Sequence, residues 1–206
     1  FVPFSFDFPR SIGNVSTASM LKRECGAEWT KRKRCGCTCA STCWPLNYLH
    51  MNRFRTLKLW QMFATDPYLR RFDFVMSMDA DLFLIQTLTE DPLALIGEKQ
   101  CAFLTGSNHR EAPGCYEGYK ESALQFATLH PDLQTFPERV QKLEPGMSFW
   151  GGFTVANARF FRRQAHLKFA DYINELGTIY TKRWNDQTHW LLSIALLHER
   201  GLSAVC

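Results

Sequence analysis

The clearest structural signal in this chain is the stretch Phe72-Asp-Phe-Val-Met-Ser-Met-Asp-Ala-Asp-Leu-Phe-Leu-Ile85. Its apolar part, Phe72–Met78, predicts a strand that is buried on both faces, as in a parallel sheet. Asp79 and Asp81 follow at the carboxyl end of this strand, where open α/β sheets bind their ligands. Side chains two apart in an extended segment point the same way, so both carboxylates can face one cation. Hard divalent ions such as Mn²⁺ or Mg²⁺ prefer oxygen ligands, and the stretch therefore predicts a metal site.

A cation at this position has a specific chemical use. Held by Asp79 and Asp81, it can bridge to the diphosphate of a nucleotide-sugar and neutralise charge on the leaving nucleoside diphosphate. This is the Asp-x-Asp pattern of metal-dependent glycosyltransferases. The triplet is short and common, however, and two solvated acids in a strand-to-loop turn also explain it.

The composition is that of an ordinary globular domain. The chain has 206 residues, of which 46% are hydrophobic and 21% charged, enough for one domain with a sizeable core. The 17 Phe and 6 Trp indicate a thick core or aromatic platforms for sugars. The net charge of +4 is concentrated between positions 22 and 34, and no nucleic-acid motif is present, so a nucleic-acid partner is disfavoured. No apolar run approaches the roughly 20 residues that span a bilayer.

Eight cysteines are present, and four of them crowd into Cys35-Gly-Cys-Thr-Cys-Ala-Ser-Thr-Cys43. A zinc site usually has two cysteine pairs set apart along the chain, and no His pair lies near this cluster. Disulfides in an oxidising compartment, free thiols and a metal site all stay open, because connectivity is not readable from sequence.

A helix is predicted over Asn47–Ala64, because apolar residues recur there at helical spacing until Asp66-Pro67. Within it, His50 and Arg53 are three residues apart and share a face. That face can direct a cation at a phosphate or a carboxylate, or it can simply hold a surface Arg and a capped His.

The segment Pro145–Ala156 contains two strand-like runs around a glycine pair. Gly151 and Gly152 indicate a bulge or a close approach of the backbone to a ligand. Trp150 beside them can stack on a sugar face, or it can fill the core.

The start of the apolar helix Trp190–Leu197 carries the next candidates. Asn185 or Asp186 provides its N-cap, and His189 lies three residues after Asp186. A carboxylate at position 186 can alternatively serve an acceptor hydroxyl as a base or as a positioning group.

Five segments of the chain form a pattern in a fixed order. They are Tyr48-Leu-His-Met-Asn-Arg-Phe54, Asp79-Ala-Asp81 after its strand, Asp91-Pro-Leu93, Ser148-Phe-Trp-Gly-Gly-Phe-Thr-Val-Ala156 followed by Asn157-Ala-Arg-Phe-Phe-Arg162, and Arg183-Trp-Asn-Asp186. Their order and spacing resemble the Y-x-H-M-x-R-F, acid-Pro-Asp, Asp-Pro-Phe, H-F-W-S-N-F-E-I-G with D-x-x-F-F-R, and R-W-G-D segments of the fungal α-1,2-mannosyltransferases of glycosyltransferase family 15. The combined pattern is much more specific than any one segment.

The resemblance implies an α/β, GT-A-like nucleotide-diphospho-sugar transferase fold, with a mixed, mostly parallel sheet and flanking helices, incomplete at both ends. It implies one catalytic domain over residues 1–206, with a loop-rich, cysteine-rich entry over residues 1–45. The implied activity is retaining transfer of mannose from GDP-mannose to a glycan acceptor, with Mn²⁺ (or Mg²⁺) as cofactor. The implied location is the lumen of the Golgi, with the anchor of a type II membrane protein in a missing N-terminal segment.

The resemblance and the residue chemistry together assign a candidate site. Asp79 and Asp81 hold the metal, and Asp186 orients or deprotonates the acceptor. The residues expected to bind donor or acceptor are His50, Arg53, Trp150, Gly151, Gly152 and His189.

The chain also departs from the family pattern. The family's proposed nucleophilic Glu falls on Thr154, the second catalytic candidate, whose hydroxyl is a poor nucleophile without a neighbouring base. A front-face mechanism, in which the leaving phosphate helps deprotonate the acceptor, does not need a nucleophile there. Asp79 replaces a Glu, and the chain ends at Cys206 before the segment that supplies the family's metal-binding His. A non-catalytic glycan-binding relative, another nucleotide-sugar transferase such as a galactosyltransferase, and a cysteine-rich zinc protein stay open as alternatives.

Overall fold

The computed structural model describes residues 46–83 and 87–206, which form a small sheet with helices on both faces. The elements are α1 (Leu46–Arg53), a π-helical segment (Phe54–Lys58), α2 (Leu59–Thr65), β1 (Phe74–Met78), α3 (Pro92–Glu98), β2 (Phe103–Thr105), β3 (Asn108–Arg110), α4 (Pro113–Tyr116), α5 (Tyr119–Leu129), α6 (Pro137–Gln141), β4 (Met147–Phe149), β5 (Phe153–Asn157), α7 (Ala158–Phe161), α8 (Gln164–Glu175), α9 (Thr178–Thr181) and α10 (Asp186–Leu197), with 3₁₀ turns at Leu69–Arg71 and Gly201–Ala204. The basic cluster and the Cys35–Cys43 cluster lie outside the described residues, so the hypotheses about them stay untested.

The main sheet has the strand order β1-β5-β2, and β5 runs antiparallel to both of its neighbours. β3 and β4 form a separate antiparallel pair. The expectation of a mostly parallel sheet is therefore wrong for the strand pairs in the described part of the chain. The apolar pattern from which it was drawn reports burial, whereas strand direction depends on how the chain returns to the sheet.

β1 is shorter and more exposed than the sequence predicts. It begins at Phe74 instead of Phe72, and Met76 and Met78 are 58% and 53% exposed. Within the described residues β1 is an edge strand, and α3 packs only against its start, at Phe74. The prediction that this strand is buried on both faces is thus wrong, because none of the described elements covers one of its faces beyond Phe74.

The helix predicted over Asn47–Ala64 is confirmed, with one irregularity. α1, the π-helical segment and α2 follow one another without a break, and the backbone turns to an extended conformation at Asp66. Trp60 of α2 stacks on Phe161 with ring centroids 4.5 Å apart, which fixes this helical segment against the core. No helix in the described ranges is long and apolar enough to cross a membrane.

α10 lies at the centre of the main core, and nearly all of its side chains are buried. Its N-cap is Asn185, whose side-chain oxygen accepts a 2.8 Å hydrogen bond from the backbone N–H of Thr188. Of the two predicted caps, the structure thus selects Asn185, and Asp186 becomes the first residue of the helix. Asn157 caps α7 in the same way, since its side-chain oxygen accepts a 3.0 Å hydrogen bond from the backbone N–H of Arg159.

The C-terminal residues pack beside β2. The sequence Gly201–Cys206 resembles the start of a strand, but it forms a 3₁₀ turn and then a single parallel bridge between Phe103 and Val205. Cys101 and Cys206 form a disulfide, and Cys115 is also disulfide-bonded. Disulfides of this kind persist in oxidising compartments.

A buried histidine makes the stability of this core dependent on pH. His166 of α8 lies beside the Trp60 and Phe161 rings. Burial lowers the pKa of His166 from 6.5 to about 3, and a contact with the Phe161 backbone opposes this only in part. The unfolded chain therefore takes up a proton that the folded protein excludes, and stability present above about pH 6.5 is lost as the pH falls.

We expect His166 alone to lower the free energy of unfolding by about 2 kcal/mol between about pH 7 and about pH 5. Replacing His166 with Phe keeps a ring of similar size and removes the titrating group. Urea unfolding at the two pH values should therefore give a smaller pH-dependent loss for His166→Phe than for the unsubstituted protein. Equal losses in the two proteins would show that His166 is not the responsible group.

Candidate functional site

A cavity of about 450 Å³ lies between the first helical segment and the sheet, and its size is typical of small-molecule sites. It is bounded by Met51, Phe54, Arg55, Leu59, Val75, Ser77, Asp79, Thr154, Ala156 and Trp190, among others. A second cavity of about 360 Å³ lies between the start of α5, the loop before β4, and α10. None of the predicted site residues lines this second cavity, so we place the candidate site in the first.

The two aspartates of the Asp-x-Asp triplet follow the end of β1, as predicted. Asp79 donates its backbone N–H to Gly152, and Leu82 donates to the carbonyl of Asp79, so the triplet forms a turn. Asp79 and Asp81 therefore do not lie in an extended segment as predicted, because the strand ends at Met78. The Asp79 side chain is 47% exposed, and Asp81 is exposed as well. Both carboxylates are thus accessible from solvent.

Arg55 connects the two ends of this site. Its Nε lies 2.7 Å from Oδ2 of Asp186, and its Nη1 lies 3.6 Å from Oδ1 of Asp79. Its Nη2 donates a 3.4 Å hydrogen bond to the carbonyl of Gly151, and its guanidinium lies over the Trp190 ring, 5.0 Å from the centroid. One guanidinium therefore joins the end of β1, the glycine pair and the start of α10.

The carboxylate of Asp186 is buried beneath the guanidinium of Arg55. Its side chain is only 3% exposed, and burial raises its pKa, against the opposing effect of Arg55. The short contact with Arg55 supplies the compensating charge that a buried carboxylate needs. In this arrangement the Asp186 carboxylate faces Arg55 and is not open to an acceptor molecule.

The glycine pair leaves room for protein side chains. A Cβ at Gly151 would meet the side chain of Gln187, and a Cβ at Gly152 would meet the ring of Trp150. The expected close approach is therefore made by these side chains. Trp150 remains 36% exposed, with its ring lying across Gly152, so part of its surface is available for stacking.

A row of hydroxyl groups crosses the sheet next to the triplet. Thr154 of β5 is paired with Ser77 of β1 and with Thr105 of β2, so the three side chains share one face. Thr154 is buried and lines the cavity. The Thr105 hydroxyl donates to the carbonyl of Trp150 at 2.8 Å, which links the row to the loop that carries the glycine pair.

His50 and Arg53 lie on α1, and each makes a polar contact with a neighbouring helix. His50 Nδ1 lies 2.9 Å from the hydroxyl of Tyr180, and Arg53 Nε donates a 2.6 Å hydrogen bond to Asn174 of α8. Burial, followed by the charge of Arg53, lowers the pKa of His50. Neither residue lines the cavity, so the structure does not bring them together with Asp79.

His189 is fully buried within the core and is not among the residues that line the cavity. Its Nδ1 lies 2.9 Å from the Tyr119 hydroxyl, and its ring stacks on Phe169. Burial, followed by the charge of His166, lowers the pKa of His189 well below its usual value. We therefore leave His189 out of the residues that we propose to contact donor or acceptor.

Arg55 and Gln187 are the site residues that our sequence reasoning missed. Arg55 lies two residues beyond Arg53 and points to another side of the helix. The available signal was the spacing of Met51, Arg55 and Leu59, which places one basic residue in an apolar stripe. The π-helical segment that carries Arg55 is a second indication, because such segments are frequent at functional sites.

The residues at the cavity suit a divalent cation that is shared with a ligand. Asp79 and Asp81 supply exposed oxygen donors, which Mn²⁺ and Mg²⁺ prefer. Residues 46–83 and 87–206 contain no group of three or more His, Cys, Asp or Glu side chains that could hold a metal ion. Two carboxylates fit an ion that takes its remaining ligands from phosphate oxygens and water.

Comparisons with known proteins point to one family. The family model described as "Glycolipid 2-alpha-mannosyltransferase" matches residues 41–201. The O-glycoside alpha-1,2-mannosyltransferase omh1 of Schizosaccharomyces pombe is 22% identical over 161 residues, which are 75% of this chain and 40% of the relative. The alpha-1,2 mannosyltransferase KTR1 of Saccharomyces cerevisiae is 22% identical over 163 residues, 76% of this chain and 40% of the relative. The chain thus spans about 40% of the length of these curated relatives.

Solved structures confirm the predicted fold. The mannosyltransferase Ktr4p of S. cerevisiae in complex with GDP aligns with a TM-score of 0.64 at 20% identity, over 77% of this chain and 42% of that chain. Core-mannan synthase A of Aspergillus fumigatus, in an Mn/GDP form, aligns with a TM-score of 0.67 at 13% identity, over 80% of this chain and 46% of that chain. The α/β, GT-A-like expectation is therefore confirmed, apart from the strand directions corrected above.

Proposed function

The chain belongs to the glycolipid 2-alpha-mannosyltransferase family, and from this membership we propose that it is part of a metal-dependent, retaining α-1,2-mannosyltransferase that moves mannose from GDP-mannose to a glycan acceptor. The observation that carries the proposal is the pair of accessible carboxylates, Asp79 and Asp81, beside a cavity that also contains a guanidinium. The names of the relatives and the GDP and Mn/GDP forms of the structural neighbours support the choice of donor and cofactor.

The residues of this chain have separate tasks in the proposed reaction. Asp79 and Asp81 hold Mn²⁺ or Mg²⁺, which when bound stabilises charge on the leaving diphosphate. Trp150 offers the exposed part of its ring to a sugar face, and the buried Gly151 and Gly152 give room for the side chains of Gln187 and Trp150 beside it. A donor that fills the cavity displaces water, which strengthens each of these electrostatic contacts.

The identity of residue 154 bears on the mechanism. Thr154 is flanked on the sheet by Ser77 and Thr105, both neutral, and its hydroxyl is a poor nucleophile without a base beside it. Asp186 is covered by Arg55. We therefore favour front-face transfer, in which the leaving phosphate takes the acceptor proton, over a double displacement through Thr154.

A non-catalytic glycan-binding relative is the second candidate function. Among the side chains that line the cavity in the described part of the chain, Asp79 supplies the only carboxylate. A cavity lined by one carboxylate and a neutral Thr154, near a partly exposed Trp150, can bind a glycan without transferring a sugar. Such a protein would bind oligosaccharide and leave GDP-mannose intact.

We further propose a location in the lumen of the secretory pathway, of the Golgi type. The disulfide between Cys101 and Cys206 supports an oxidising compartment. A type II membrane anchor outside this sequence belongs to the same proposal.

A donor screen tests the proposed function. The full-length protein is incubated with GDP-mannose and with other nucleotide-sugars, including UDP-galactose, and a mannose-containing acceptor, with Mn²⁺ or with a chelator. We expect nucleotide release and sugar transfer from GDP-mannose with Mn²⁺, an α-linked product by NMR, and loss of transfer with the chelator. Transfer from UDP-galactose alone would select a galactosyltransferase. Acceptor binding without turnover of any donor would select the glycan-binding alternative.

A further inference from the structure

Arg55 is held most closely at its Nε, and the contacts of its Nη1 and Nη2 are longer. Its Nε is anchored by the buried carboxylate of Asp186 at 2.7 Å, and its guanidinium carbon lies over the Trp190 ring, 5.0 Å from the centroid. Asp186 is itself fixed, because it begins α10 directly after the Asn185 cap. The anchor therefore restricts the side chain of Arg55 to one orientation and removes much of the rotamer entropy that it would lose on binding a ligand.

The other end of the guanidinium is presented to the cavity. Nη1 lies 3.6 Å from Asp79, which is too long for a direct hydrogen bond, and Nη2 makes a long 3.4 Å contact with the carbonyl of Gly151. A guanidinium carries five N–H donors in a fixed fork. Arg55 therefore keeps N–H groups at the cavity wall that can donate hydrogen bonds to a ligand. These groups lie next to Asp79, the carboxylate that is proposed to hold the metal.

The charges around this fork favour an anionic ligand that bears several oxygens. The positive charge of Arg55 is shared between Asp79 and Asp186. A cation bound at Asp79 would offset that carboxylate and leave the fork attractive to an anion. Guanidinium and phosphate match in geometry, because two N–H groups can meet two oxygens at once.

We propose that Arg55 is a binding residue for the diphosphate of the donor, and that Asp186 is the positioning residue that aims it. The inference rests on the proposed function, since it concerns the same donor. It assigns Asp186 to the support of Arg55, where the sequence had suggested direct action on the acceptor. The ligand class is a nucleoside diphosphate, bound through the fork of Arg55 on one side and through a metal on Asp79 and Asp81 on the other.

Binding measurements on the full-length protein test this assignment. Calorimetry with Mn²⁺ present gives dissociation constants for GDP and for inorganic pyrophosphate. Since hydrogen bonds to charged groups are strong, we expect Arg55→Met to weaken both by about 10- to 100-fold. Arg55→Lys keeps the charge but not the fork and should recover part of the loss. Asp186→Asn, which loosens the anchor, should weaken both ligands to an intermediate degree.

Lys58→Met is the matched control. Lys58 lies on the same π-helical segment and bonds to Gln61, away from the cavity, so its loss changes the charge equally without touching the site. GDP affinity should stay within about twofold of the unsubstituted protein, because Lys58 does not line the cavity and a half-buried charge at a distance contributes little. Thermal unfolding without ligand checks that each variant is folded. If Arg55→Met does not fold, the binding measurement on Arg55→Lys replaces it, because Lys keeps a cation beside Asp186.

The outcomes separate this inference from the proposed function. If Arg55→Met and Arg55→Lys bind GDP and pyrophosphate as tightly as the unsubstituted protein, while Asp81→Ala does not, Arg55 is not a diphosphate contact and the proposed function stands. If Lys58→Met loses as much affinity as Arg55→Met, the effect is one of general charge and the assignment is wrong. If the unsubstituted protein does not bind GDP with Mn²⁺, both proposals fail.

Discussion

Asp81→Ala should reduce mannose transfer at least about a thousandfold, which corresponds to about 4 kcal/mol of lost transition-state stabilisation. The reason is electrostatic: Asp81 is one of two exposed carboxylates proposed to hold the cation that offsets charge on the leaving diphosphate. Removing one of two protein ligands weakens metal binding and leaves that charge without its partner. The measurement is the initial rate of GDP release from GDP-mannose over a range of Mn²⁺ concentrations.

The fold should survive this substitution, because Asp81 is exposed and lies in the turn after β1. Glu90→Ala is the control, since Glu90 is an exposed acid in the same connection between β1 and α3. It should keep normal turnover and the same unfolding midpoint. A folded Asp81→Ala protein with normal turnover in Mn²⁺ would refute the proposed metal site.

Replacing Cys101 and Cys206 together with Ala should lower the free energy of unfolding by about 4 kcal/mol. The disulfide joins residues 105 positions apart, so it restricts about half of the chain in the unfolded state. In the folded state it holds the C-terminal residues beside β2, where Ala102 donates a 2.7 Å hydrogen bond to Ala204. Urea unfolding of the double variant measures the loss.

Variants are preferable to a reducing agent in this experiment, because Cys115 is disulfide-bonded too and would be reduced at the same time. Each single replacement breaks the same link and should give nearly the same loss as the double variant. An unchanged unfolding midpoint in the double variant would mean that the backbone hydrogen bonds beside β2 suffice to hold the C-terminal residues.

Local signals in the sequence predicted many of the elements. The helix around residues 47–64, the strands Met147–Phe149 and Phe153–Asn157, and the helix capped by Asn185 all follow from periodicity and capping within a few neighbouring residues. The position of Asp79 and Asp81 at the end of a strand was predictable for the same reason.

The candidate site was predictable only in part. Asp79, Thr154 and the loop with Trp150 do lie around one region, whereas His50, Arg53 and His189 have their polar contacts elsewhere. Arg53 reaches Asn174, 121 positions further along the chain. No local pattern reports such a partner, since the helical face of a residue gives its direction and not what lies opposite.

The sequence by itself determined the type of many elements, the helix caps, the position of the two acids after β1 and, through five ordered segments, the family. Only the tertiary structure decided that β5 runs antiparallel between β1 and β2, that Gln187 and Trp150 take the space at the glycine pair, and that Arg55 links Asp79 to Asp186. The physical reason is the distance along the chain over which each kind of interaction acts. Capping and periodicity act within a few residues, whereas strand direction and charge pairing join segments that only the folded chain brings within a few ångströms of one another.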